Sequence, residues 1–511
     1  MSLELRSRAL GGSPLVELAG RPDATTGWYE PRPDAAGWKR RVEETAAEFK
    51  GGLWLRALAP ALNANGAAAQ RLRRAADSGG VVVTTGQQPG LFGGPLYTWF
   101  KAMSALALAD ELEKRTGVAA APVFWAATDD SDFAEASGTT VGVPGGTETI
   151  SIESLSDAGL PMSAVALGDV RSQVEAITRA SGSAPNAVAL EALRVAYASG
   201  ATCPTVGDAY VRLLRTLLEP LGVAVLDASH SAVREAGLPL LQQALAKGRD
   251  LEAALKDRAK ALKDAGHRAQ VAHVSGRTLV FRNAAAGRHR VRIREVESLE
   301  EGSADLSPNV LLRPVMERAI LPTVAYVGGP AEIAYFAQVS AVADGLGARR
   351  PLVVPRWSGV IVEPHVRKIL DKIGADVDDF SDPHAVETRI AREQLPSAIA
   401  RAFKKARTRV ESALAELEKA DAGASVLPST VVEGAKRQLL HKLERLERRY
   451  VAATKRQGSE LLTEVATARG ALFPDGKPQE RVLNMIPFIA KYGDAVLEGI
   501  RAKAREHAAS L

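Results

Sequence analysis

The chain has 511 residues, 46% hydrophobic and 24% charged, a balance that belongs to a soluble globular protein too long for one ordinary core. Its 65 Lys and Arg against 60 Asp and Glu leave a net charge of only +5, spread along the chain, which excludes a dedicated nucleic-acid binder. One cysteine, Cys203, excludes an intramolecular disulfide or thiolate cluster within one chain. With no signal-like N-terminus and no run of about 18 apolar residues, the expected location is cytoplasmic, with no membrane partner.

Residues 1–80 read as a lead-in punctuated by Pro31, Pro33 and Gly51–Gly52, with one or two helices between Trp54 and Ala76. Val81–Thr85, short, apolar and rich in β-branched residues, predicts a buried strand. Gly86, Gly90, Gly93 and Gly94 follow in a loop whose backbone can turn sharply and approach a ligand. Pro95 suits the first turn of a helix running to about Lys114. A second apolar run, Pro122–Ala127, ends in Asp129, Asp130, Asp132 and Glu135. Together these make a βαβ unit with a right-handed crossover. Ligands of open α/β sheets bind outside the carboxyl ends of the strands, where the glycine loop and the acidic cluster both fall.

Residues 138–205 lose this regularity. GVPGG (142–146) and SGSAPN (181–186) mark turns, and helical patterns cover 171–180 and 187–198, as in an insertion. The sheet pattern returns over 206–230, with a helix at Val206–Leu218 and a strand at Gly222–Asp227 that ends beside Ser229 and His230. Residues 231–265 predict one long helix or two. Gln270–Val274, Arg277–Arg282 and Arg288–Arg294 then alternate like an antiparallel meander, so 231–305 forms a second insertion. A strand (Leu321–Val327), a turn (Gly328, Gly329, Pro330), a helix (Ala331–Gly345) and a strand (Pro351–Pro355) resume the core over 306–384, with Arg356 directly after. The predicted fold class is α/β: a Rossmann-like parallel sheet, begun within 1–137 and carrying two inserted connecting subdomains.

Within 385–470, Ile399, Phe403, Ala406, Val410, Ala413 and Leu417 alternate steps of four and three, as do Leu439, Leu443, Leu446, Tyr450 and Ala453. Two heptad seams around a turn near Asp421–Ser429 predict an α-helical antiparallel coiled-coil hairpin with arms of roughly 35–40 residues, far above the globular mean. An exposed seam pairs with the other arm or another subunit, so a homodimer through the hairpin is expected. Residues 471–511 predict a loop and a partly helical segment docking on the core.

Several of these strings resemble one family, the bacillithiol-synthesis enzymes that add cysteine, the BshC family. TTGQQPGLFGGPLYTWFKA (84–102) and SPNVLLRPVMERAILPTVAYVGGPAEIAYFAQV (307–339) resemble it most strongly. VVPRWS (353–358), QERVLNMIPFIAKYG (479–493) and, more loosely, HRAQVAHV (267–274) keep the same order. The resemblance implies a Rossmann-like core with two connecting insertions, a dimerising coiled coil, and a ligase joining the carboxyl of cysteine to the amine of glucosaminyl-malate. Activating that carboxylate implies ATP, through an acyl adenylate or acyl phosphate, with Mg²⁺ as a candidate companion, although the chain has no Walker-type P-loop. One departure matters. Where the family reads Glu-Asp-His-Asp, this chain reads Asp129, Asp130, Ser131, Asp132. A histidine there could act as a general base and serine cannot, so the chain uses another base, runs slowly, or acts on a different amine.

The expected catalytic residues are Asp129, Asp130 and Asp132, acids suited to a substrate ammonium or Mg²⁺, and Arg356, whose guanidinium can bind carboxylate or phosphate bidentately. Gly86, Gly90, Gly93 and Gly94 either cradle a phosphate beneath a helix N-terminus or simply make the turn. Gln87 and Gln88 offer uncharged donors and acceptors for a zwitterion. Lys101 either reaches a phosphate or sits as a solvated surface charge. Ser131, Arg313, Gly328, Gly329, Glu332 and Tyr335 complete the expected binding set with His230, the replacement base most worth testing. No histidine spacing marks a metal site, and Cys203 is expected to pack as a small apolar residue. The rival readings are an amide-forming enzyme with another amine acceptor and a nucleotide-binding scaffold without catalysis.

Overall fold

Val81–Gln87 and Ala120–Ala126 are buried along almost their whole length, which requires a sheet covered on both faces. In a computed structural model they pair in parallel, from Val81 opposite Ala120 to Gln87 opposite Ala126. The structure describes all residues except 1–2, 22–26, 155–158, 184–185, 199–203, 285–286, 299–304, 383, 425 and 457–459, so the expectation for Cys203 lies outside the described residues.

The parallel sheet has five strands in the order Val353–Pro355, Thr323–Gly328, Val81–Gln87, Ala120–Ala126, Ala224–Asp227. The chain builds outward one way from the Val81 strand and later the other way from the Thr323 strand. The switch point therefore lies between these two neighbours, and a crevice opens past their carboxyl ends, at Gln87 and Gly329. The Leu96–Thr116 helix packs on the sheet and against the Asp494–Ala509 helix, so it is buried on most sides. Val206–Leu218 matches its predicted bounds, fixed by a capping box between Thr205 and Asp208.

Residues 231–264 form two helices, Ser231–Ala246 and Gly248–Asp264. The meander differs from expectation. Arg277–Ala284 and Gly287–Arg292 are strands, but the third is Leu306–Pro308, and Gln270–Val274 is not a strand. Within it Val271 donates its N–H to Gln338 Oε1 and accepts at its C=O from Gln338 Nε2, each at 2.9 Å, so a helix side chain takes the place of a neighbouring strand.

Residues 142–147 and 362–479 make up a second compact unit. Its long helices, Ser397–Ala424 and Ser429–Arg456, are 28 residues each and antiparallel, with Phe403 edge-on to Tyr450 at 5.5 Å and Arg407 3.7 Å from Glu447. The first arm begins only at Ser397, where Pro396 sets a boundary, and the second ends at Arg456, before the undescribed residues 457–459, so both are shorter than expected. Leu417, Leu439, Leu446 and Tyr450 stay 42–53% exposed. No described helix is long and apolar enough to cross a membrane.

Candidate active site

A cavity of about 600 Å³ opens in the crevice beyond the strand ends, and Gly86, Gln87, Gln88, Asp129, Glu332 and Arg356 are among the residues lining it. The first compact unit, residues 3–141, 148–361 and 480–511, supplies its whole lining.

Buried cation–carboxylate pairs make its floor. The helix beginning at Leu96 carries Lys101 beneath the end of the Val81 strand, where it is 2% exposed. Its Nζ donates to the Gly86 carbonyl and to Gln87 Oε1, each at 2.8 Å, and lies 2.5 Å from Glu332 Oε2. Lys101 is therefore no solvated surface charge. Burial pushes its ammonium pKa down, and Glu332 opposes that shift. Glu332 also accepts from the Gly329 N–H at 2.8 Å and the Tyr326 hydroxyl at 2.5 Å. Burial alone would raise the Glu332 carboxyl, but Lys101 and these donors hold it below its usual range. Arg313 pairs with Glu317 at 2.6 Å, with its guanidinium 4.9 Å from the Tyr326 ring centre; Thr84 also donates to Glu317.

Arg356 corrects another expectation. Its two terminal nitrogens meet the two oxygens of Glu480 at 3.0 and 2.5 Å, so the fork that could clamp a substrate is already filled. Glu480 also accepts from the Ser358 hydroxyl at 3.0 Å and the Gly359 N–H at 3.2 Å. Only Nε of Arg356 is left without a partner. The Gly329 backbone lies beside it, since a Cβ there would stand 3.7 Å away, in ordinary contact.

The rim is acidic. Asp129 lies 3.3 Å from Arg288; burial pushes its carboxyl pKa up, and Arg288 resists. Asp130, Ser131 and Glu135 also line the cavity. Burial, then Asp132 and Asp130, push Glu135 up. Asp132 itself is an exposed helix cap, accepting from the Glu135 N–H at 3.2 Å, and does not line the cavity. His230 is likewise a cap: its Nδ1 accepts from the Ala232 N–H at 3.1 Å at the start of the Ser231–Ala246 helix. It is not in the cavity, and none of the described lining residues is histidine, so it offers no replacement base.

The glycine loop is a structural turn. Gly90, Gly93 and Gly94 do not line the cavity. The Phe92 N–H donates to the Tyr197 hydroxyl, Gly93 to Gly90, Gly94 to Leu91 and Leu96 to the Leu483 carbonyl, all at 2.9–3.2 Å. Asn484 Nδ2 donates to the Phe92 and Gly94 carbonyls at 3.0 and 3.3 Å. These N–H groups have none to spare for a phosphate. At Gly86 a Cβ would sit 2.7 Å from the Trp125 carbonyl oxygen, so that glycine permits close strand packing. Gly328 serves the same purpose against Val353, while Gly329 and Tyr335 line the cavity.

Sequence reasoning missed Tyr97, Arg288, Glu480 and Arg481. Tyr97 accepts from Gln87 Nε2 at 3.1 Å. Arg481 is exposed on the cavity wall, with no carboxylate partner among the described residues. The adjacent Glu480–Arg481 pair was the only available signal, since nothing in the string shows that one acid turns inward and the next cation outward. The Arg481 guanidinium and Arg356 Nε are thus donors available to an anion in the cavity, whereas the N–H groups of Phe92, Gly93 and Gly94 are taken up in the turn. Among the described residues no three His, Cys, Asp or Glu side chains converge as a metal cage.

Compared with known proteins, residues 18–357 match the family described as the N-terminal Rossmann-like domain of bacillithiol biosynthesis BshC, and residues 359–509 match its C-terminal coiled-coil domain. Similar relatives carry the name "Putative cysteine ligase BshC". The one from Solibacter usitatus is 30% identical, covering 86% of this chain and 85% of its own. That from Salinibacter ruber is 31% identical (84% and 82%), and that from Koribacter versatilis 32% (83% and 81%).

Proposed function

Because the chain belongs to the BshC family of bacillithiol biosynthesis, and is accordingly a ligase, we propose that it joins the carboxyl group of L-cysteine to the amine of glucosaminyl-malate with ATP as activator. The observation that carries this reading is one cavity lined both by an acidic rim, Asp129, Asp130 and Glu135, and by cationic donors, the Arg481 guanidinium and Arg356 Nε. Amide formation needs both poles. ATP supplies the leaving group: a carboxylate oxygen of cysteine takes its γ-phosphoryl or its adenylyl group, releasing ADP or pyrophosphate, and attack of the amino-sugar amine at the carbonyl carbon then expels phosphate or AMP. In this proposal Arg481 and Arg356 Nε face the phosphate charge, with any Mg²⁺ held by the nucleotide and one or two carboxylates. Gln87 and Gln88 orient the zwitterion. Asp129 and Asp130 hold the ammonium group of the amino sugar and receive the proton that frees it as the attacking amine, the task that a histidine at position 131 would otherwise share.

Purified protein given cysteine, glucosaminyl-malate and ATP is expected to form the thiol conjugate with AMP or ADP. The Asp129→Asn variant should lose about 10²–10⁴-fold in kcat/KM. Absence of product while the amino sugar still binds would sink the proposal. Ser131 favours a second reading, a different amine acceptor, in which Ser131→His gives no gain with glucosaminyl-malate.

We also propose that the hairpin carries a homodimer contact, supported by the exposed Leu439 and Leu446. The double variant Leu439→Glu, Leu446→Glu should sediment as a monomer; an unchanged dimer refutes this.

A further inference from the structure

A second cavity, of about 710 Å³, shares Val271 and Arg290 with the first, and residues 266–273 form one of its walls. Its lining is chemically one-sided. Arg268, Arg290, His267 and His273 bring basic groups, Leu15 and Leu255 give an apolar side, and none of the described lining residues is Asp or Glu.

Arg290 is the unusual member. In the catalytic cavity Lys101, Arg288, Arg313 and Arg356 each have a carboxylate within 3.3 Å. Arg290 is partly buried, yet its Nε meets only the Thr278 carbonyl, at 2.6 Å, and no described carboxylate pairs with it. Burial lowers its pKa, and the like charge of Arg277 lowers it further. A guanidinium withdrawn from water without a counter-charge is costly unless an anion arrives. Arg268, exposed and also without a carboxylate partner among the described residues, adds a second cation to the same cavity. The wall between the cavities is held in place by Gln338, whose amide grips both polar groups of the Val271 backbone.

We propose that this second cavity binds a small phosphate- or carboxylate-bearing ligand through Arg268 and Arg290, with its apolar part against Leu15 and Leu255. The site is separate from the ligase chemistry and stands whether or not that reading holds. Because Arg290 lines both cavities, an anion here draws on a guanidinium that the catalytic cavity also faces.

The test is calorimetric titration of the full-length protein with inorganic pyrophosphate and, separately, with succinate. Saturable binding of either is expected, pyrophosphate alone assigning phosphate chemistry and succinate alone assigning carboxylate. Loss of one charge-assisted contact in Arg268→Gln or Arg290→Gln should weaken binding about tenfold or more. Arg268 is exposed, so its replacement leaves the fold unburdened. Arg481→Gln, in the catalytic cavity, should leave the affinity unchanged. No saturable heat up to millimolar ligand overturns the proposal. So does binding that is lost in Arg481→Gln and kept in Arg268→Gln, since the anion would then sit in the catalytic cavity.

Discussion

Replacing Glu480 with alanine is expected to destabilise the protein by about 3–5 kcal/mol, read as a fall in the denaturant midpoint. Arg356 is 3% exposed and Glu480 4%, so removing the carboxylate leaves a guanidinium in the interior with the Trp357 carbonyl, at 2.8 Å, as its remaining partner. The Ser358 hydroxyl and the Gly359 N–H lose their acceptor at the same time. The penalty belongs to the abandoned charge more than to the worth of the pair. The double variant Arg356→Met, Glu480→Leu should accordingly recover most of the stability, and breaking even or better is the usual result for a buried pair replaced by apolar groups. If it is as unstable as the single variant, the stranded guanidinium is not the cause.

Lys101→Met is expected to be comparably damaging, about 3–5 kcal/mol, and to abolish ligase turnover. Methionine matches the length of the stem, so the loss isolates the ammonium group. Without it the Gly86 carbonyl and Gln87 Oε1 lose a donor, and Gln87, which lines the cavity, loses one of the contacts that orient it. Glu332 is left buried with only the Gly329 N–H and the Tyr326 hydroxyl. The pH dependence gives a second check. The folded-state pKa of Glu332 is depressed, so the pair's contribution is fully present above the ordinary glutamate range and is lost as pH falls through the lower folded value. The variant should lose that part of the acid-side slope in a plot of stability against pH. An unaltered slope would mean that Lys101 does not hold the Glu332 carboxyl down.

The strands and the Val206–Leu218 helix were legible because their causes are local. A run such as VVVTTG has no polar face to turn outward, and Thr205 with Asp208 marks a helix start three residues apart. The cavity itself was legible from the order of elements, since strand ends at a switch point gather whatever follows them. The uses of individual side chains were not. GQQPGLFGGP is compatible with a phosphate cradle or a closed turn, and what decides is Asn484, 390 residues beyond Gly94. Arg356 looks like a substrate clamp until Glu480, 124 residues away, fills it. Gln270–Val274 alternates like a strand, but its hydrogen bonds go to the side chain of Gln338, which no pairing rule anticipates.

The segment from Glu480 to Asn484 has a consequence for synthesis on the ribosome. It fills Arg356, places Arg481 on the cavity wall and ties down the Gly90–Gly94 turn, yet it is translated after almost everything it completes. A nascent chain that already contains all five strands still lacks these contacts, so this compact unit stays unfinished until residues 480–484 emerge. Premature termination after Arg356 but before Glu480 should thus give a product that carries an uncompensated interior guanidinium and is readily cleared by cellular proteases.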